Sequence, residues 1–183
     1  ELIGVGDRPM EFVVMVEQLQ SIAEKTDNRL IGFGNDTVVF KEYRGIVKDL
    51  FDLAENTRDL EIPAITGVLE TSLHGVSAAR NCGNTWHLRS HFIWVNSQGI
   101  TLLNSSCQQI TDIINGSGIS PTSRMISNMY YEPQLRERKA RAIECEKYIG
   151  ELFVRNGIVL PHILSRKIQL KRRLRSLFPY KKI

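Results

Sequence analysis

Cysteine is scarce: Cys82, Cys107 and Cys145 are the only three in 183 residues, an odd number with no Cys-x-x-Cys spacing. Neither a disulfide framework nor a structural zinc knuckle fits that pattern, so the three read as buried thiols. Long apolar runs are missing too. The longest, Phe12 to Val16, is far short of the ~20 residues that cross a bilayer, and no basic-then-apolar leader opens the chain. The expectation is a soluble, cytoplasmic protein. The chain begins with Glu1 and not Met, which reads as a piece of a longer polypeptide. Acid is missing from one end: no Asp or Glu follows Glu151.

What is present is 42% hydrophobic and 24% charged residues, the ordinary range for a compact domain with an appendage. The charge is divided. Residues 1–120 carry 9 Lys+Arg against 15 Asp+Glu, a net of −6, whereas residues 121–183 carry 15 against 5, a net of +10. Arg166, Lys167, Lys171, Arg172, Arg173, Arg175, Lys181 and Lys182 fall within the last eighteen positions. Such an end seeks an anionic partner, nucleic acid or another polyanion, or carries a nuclear address.

Along the chain, Pro9 after Asp7 opens an apolar stripe of Phe12, Met15, Val16, Leu19, Ile22 and Ala23, which predicts a helix over about 9–25. Arg29–Gly34 and Asn35–Phe40 read as two short strands about a turn at Asn35-Asp36. Ile46, Val47, Leu50, Phe51 and Ala54 recur at helical spacing, predicting an amphipathic helix over 43–58. Ile62–Leu69 follows as a buried strand, with Pro63 at its start. Phe92–Val95 and Ile100–Leu103, separated by Asn96-Ser-Gln-Gly99, predict a hairpin. Asn115 to Pro121 reads as a linker. Beyond it, Pro133–Arg155 is a helix closed by Asn156-Gly157, and a last helix over 162–178 places Ile163, Leu170, Leu174 and Leu177 on one face. The fold class that follows is α/β or α+β: a mixed sheet with amphipathic helices over 1–115, a linker at 116–121, and a helical basic module over 122–183.

Few constellations carry chemistry. Cys82, His87 and His91 are three ligands where a structural zinc site takes four, so no metal is expected there. No nucleophile-elbow pattern surrounds any Ser or Cys. Gly32-Phe-Gly34-Asn-Asp36 is a Gly-rich turn with a carboxylate, where palm-type nucleotidyl cyclases place a metal-binding Asp. A two-Mg²⁺ reaction needs a second carboxylate, and Asp7, at a helix entry, is the sole upstream candidate. The plainer reading is a hairpin turn with an exposed Asp.

A longer likeness runs over residues 60–104. Ile62-Pro-Ala-Ile-Thr-Gly-Val-Leu69, His74-Gly75-Val76-Ser77-Ala78-Ala79-Arg80 and Phe92-Ile-Trp-Val-Asn-Ser97-Gln-Gly99-Ile100 together resemble the second half of the diadenylate cyclase catalytic domain. The family's Asp-Gly-Ala metal motif is absent, and its Arg-His-Arg triplet is represented only by Gly75-Val-Ser77. The resemblance therefore implies a nucleotide or second-messenger sensor, without a cofactor, in which Gly75, Ser77 and Arg80 cradle phosphate and Asn96 and Ser97 line the hairpin side of the pocket. Tyr43–Phe51, with the basic terminus, is also similar to the C-terminal region of influenza-like polymerase basic subunits. The expected function is thus nucleotide binding joined to a polyanion- or partner-binding tail, with the palm cyclase and the viral nucleic-acid binder as alternatives.

Overall fold

The computed structural model describes residues 30–34, 44–71, 86–116 and 132–163. In chain order these form β1 (Ile31–Gly34), α1 (Arg44–Glu55), β2 (Ala64–Thr71), β3 (Trp86–Val95), α2 (Ser97–Ser105), α3 (Cys107–Asn115), α4 (Pro133–Asn156) and β4 (Ile158–His162). The expected helix over 9–25, the strand over 35–40 and the helical segment within 164–183 lie outside the described residues.

The four strands lie in the order β1-β3-β2-β4. β3 runs antiparallel to both β1 and β2, while β4 runs parallel to β2, so the sheet is mixed and the class is α+β as expected. Between Gly67 and Val68 the β2–β3 register jumps, leaving Ser90, His91 and Phe92 unopposed by β2. An odd number of extra residues reverses the alternation of side chains. Leu88 and Ile93 consequently reach the same face of the sheet.

That face carries the main core. Ile65, Leu88, Ile93 and Val95 pack beneath Ile100 and Leu103 of α2, Ile110 of α3, and Cys145, Ile149 and Phe153 of α4. Burial of a side chain such as Phe153, Ile110 or Leu103, each with no exposed surface, contributes roughly 1.5–3 kcal/mol. The opposite face is covered by α1, whose Ile46 and Leu50 meet Val68, with Phe92 and Trp94 beside them.

Three expectations need correction. The hairpin over 92–103 does not form: only its first half is strand, and Ile100–Leu103 belongs to α2. Asn96-Ser-Gln-Gly99 has turn composition, yet Ile100, Leu103 and Ile110 are buried at a helical spacing continued through α3, and Asn96 serves as a helix cap. The boundary after residue 115 does not divide the core, because α4 packs on β3 and β4 pairs with β2. His162, expected to begin the last helix, ends a strand, and Ile163, expected to pin that helix, is 68% exposed.

Candidate functional site

Asn96 sits at the junction of β3 and α2 with no exposed surface. Its Oδ1 accepts from the backbone N–H of Gly99 and of Ala64, each at 2.9 Å. The first bond caps α2 and the second ties the start of β2 to it. Its amide nitrogen donates to the carbonyls of Ile62 at 2.9 Å and Thr57 at 3.1 Å. All its strong hydrogen-bonding capacity is spent on backbone, so Asn96 holds the 57–64 loop in place and offers nothing to a ligand. Gly99 is small for the same junction: a Cβ there would stand 2.4 Å from Val95 Cγ1 and 2.9 Å from Phe153. At the neighbouring Gly157 a Cβ would meet the Pro63 carbonyl at 2.0 Å, the same carbonyl that accepts from Ile158 N–H to begin the β2–β4 pairing.

A second polar group lies between β3 and α4. His87 Nε2 stands 3.2 Å from Glu146 Oε2, with both side chains largely buried. Lys147, next on the helix, is buried with Nζ unpartnered. Cys145 is sealed in the core, and burial, helped by the Glu144 and Glu146 carboxylates, pushes its thiol up to about 12, against a smaller opposing pull from Arg141. Burial raises the Cys107 thiol as well. A thiol so raised carries almost no thiolate near neutral pH, which removes Cys145 as a nucleophile or soft metal ligand. Among the described residues no group of three His, Cys, Asp or Glu could hold a metal ion.

The third group lies on the opposite face, beneath α1. His162 of β4 approaches Asp49 of α1, Nε2 to Oδ2 at 3.1 Å. On β2, two residues back in the register, Thr66 is 1% exposed, and Trp94 is its direct partner on β3. Thr66 Oγ1, Trp94 Nε1 and His162 Nδ1 are all buried without a hydrogen-bond partner. Asp, His and a hydroxyl give this group the composition of a nucleophilic triad. The geometry does not support that chemistry, because Thr66 Oγ1 is not bonded to the imidazole and a substrate cannot reach it under α1.

Of the residues expected to bind nucleotide, Asn96 is the structural cap described above and Ser97 is the half-buried first residue of α2. Gly75, Ser77 and Arg80 lie outside the described residues, on the segment that joins Thr71 to Trp86. Asp36 and the basic residues Arg166, Lys167, Lys171, Arg172, Arg173, Arg175, Lys181 and Lys182 also lie outside the described residues. Neither His87–Glu146 nor Asp49–His162 was readable from the sequence; the second pair is 113 positions apart, and no local spacing rule links such partners. No helix among the described residues is long and apolar enough to cross a membrane. No protein-family model matches the chain, and neither a curated protein nor a solved structure matches it.

Proposed function

We propose that this chain binds phosphate-bearing polyanions through its basic C-terminal end, using the α+β body as the platform from which that end departs. One observation carries the reading: eight Lys and Arg in the last eighteen positions, with no acid after Glu151 to neutralise them. A dense unneutralised charge of this kind draws a polyanion by releasing its condensed counterions. Among the described residues the chain runs toward this end through β4, the outer strand beside β2. The direct test is fluorescence-anisotropy titration of the whole protein with a single-stranded RNA oligonucleotide at low salt. Saturable binding that weakens steeply as salt is added is the expected result, and no binding at low ionic strength overturns the proposal.

A finer part of the reading is a nucleotide or cyclic second messenger held by Gly75, Ser77 and Arg80. Its support is the sequence resemblance over residues 60–104, in which Arg80 would supply a charge-assisted pair to phosphate. A thermal-shift screen of mono-, di- and cyclic nucleotides, with and without Mg²⁺, tests it, since a ligand that binds only the folded state raises the melting temperature. Stabilisation that vanishes in Arg80→Ala is expected. Formation of a cyclic product that disappears in Asp36→Asn would replace this reading with the palm-cyclase one.

A further inference from the structure

The three unpartnered polar atoms beneath α1 share one face of the sheet and sit on neighbouring strands. Thr66 lies in the middle on β2, Trp94 directly opposite on β3, and His162 two residues along the register on β4. Directly opposed residues hold their Cβ atoms about 4.5–5.5 Å apart, so Thr66 and Trp94 are immediate neighbours. The six-membered ring of the Trp94 indole lies against Gly32 of β1, where a Cβ would meet Cζ3, Cδ2 and Cε3 at 3.1–3.2 Å. Phe51 of α1 and Phe92 meet the same indole edge-on, at ring-centroid distances of 5.1 Å and 5.5 Å. Asp49 closes the β4 side by holding His162.

Burying a hydroxyl, an indole N–H and an imidazole nitrogen without partners costs free energy, and such atoms are ordinarily satisfied by protein or by ordered water. We propose that the space between α1 and the sheet is a buried hydration site, in which ordered water is held by Trp94 Nε1, Thr66 Oγ1 and His162 Nδ1. The donor and acceptor inventory selects the ligand. Trp94 can only donate, Thr66 can donate and accept, and His162, its Nε2 facing the Asp49 carboxylate, presents Nδ1 as an acceptor when the ring is neutral and as a donor when it is protonated. An occupant that both accepts and donates satisfies the three atoms in either state. An apolar occupant would leave all three atoms unpaired. Water has the required chemistry, and two to four polar partners are what a buried water typically has.

The test reads the Trp94 indole N–H in the full-length protein by water-selective nuclear Overhauser spectroscopy, with Trp86→Phe used to assign the two indole signals. A cross-peak from long-lived water to Trp94 Nε1–H is expected, kept in Thr66→Ser and weakened in Thr66→Val. Thr66→Val should also lower the melting temperature by about 3 °C, because the methyl evicts or strands the water. A dry site predicts the reverse: no cross-peak, and a melting temperature that stays level or rises when the unpartnered hydroxyl is replaced by an isosteric methyl. Should Thr66→Val fail to fold, the presence or absence of the cross-peak in the unsubstituted protein decides alone.

Discussion

Helix α4 and the last eighteen residues both are rich in Lys and Arg, and they use them in opposite ways. In α4 the bases are interleaved with acids at helical spacing: Arg141 reaches Glu137 at 3.1 Å and Glu144 at 3.3 Å, and Arg155 reaches Glu151 at 3.5 Å. The remaining face of that helix is committed to the core through Cys145, Ile149 and Phe153. After Glu151 the sequence supplies no acid at all. Charge that is paired locally stabilises and solubilises a helix, whereas charge left without a local partner remains available to an outside one. The proposed function implies a division of labour: the body holds shape, and the basic end supplies the attraction. Substitutions in one should then leave the other's readout unchanged.

The largest effect should come from the β3–α2 junction. Asn96→Ala removes a helix cap and strands the buried Ala64 N–H and the Ile62 and Thr57 carbonyls, and should cost about 3–5 kcal/mol in chemical denaturation. Asn96→Asp, which keeps the acceptor but loses the donor, should remain strongly destabilised. Gly99→Ala should cost about 1–3 kcal/mol, because its Cβ would press on Val95, Phe153 and the Ala64 carbonyl, none of which can move freely. In each variant that still folds, the salt dependence of RNA binding should match the parent. A changed slope would mean that body and end are not separable.

A further effect appears only at alkaline pH. The Cys145 thiol is raised in the folded state from an ordinary value of 9.0 to about 12, so the native state keeps a proton that the unfolded chain releases. Its contribution is fully present below pH 9 and is lost as pH rises from 9 towards 12, by up to about 1.4 kcal/mol per pH unit. Urea melts across that window should show this alkaline loss, blunted in Cys145→Ala. Alkylation of Cys145 by iodoacetamide at pH 8 should be far slower than in the urea-unfolded chain. Smallest of all should be Arg155→Ala, which breaks an exposed pair at the end of α4 and should change stability by no more than ~0.5 kcal/mol.

Periodicity revealed the elements whose signals are local. The stripe through Ile46, Leu50 and Ala54, the strand after Pro63 and the helix from Pro133 to the Asn156-Gly157 stop all stand where their spacing put them. Asn96-Ser-Gln-Gly99 misled because Asn and Gly serve a hairpin turn and a helix cap alike. What decides between them is the burial of Ile100, Leu103 and Ile110 on one helical face against Phe153, a partner fifty residues later in the chain. The break at residue 115 misled for a related reason: a Gly- and Ser-containing linker looks the same whether it leaves a domain or returns to its sheet. Parallel pairing of β4 with β2 is a long-range choice that no window of sequence contains. The polar atoms under α1 were equally hidden, since Thr66, Trp94 and His162 meet only through the register of three strands.

The division of labour is tested most directly by measuring the salt dependence of RNA binding in the parent and in a variant with Lys171, Arg172, Arg173 and Arg175 replaced by Gln, with thermal melts of both. Each phosphate contact on a single strand contributes about 0.7 to the slope of log K against log salt, so loss of four should flatten the slope by roughly 3. The melting temperature should move by no more than about 2 °C, as expected for charges that hold no part of the body together. An unchanged slope, or a collapse of the melting temperature in the Gln variant, would contradict the account: the first would place polyanion binding elsewhere, and the second would show that the basic end is docked on the acidic part of its own chain.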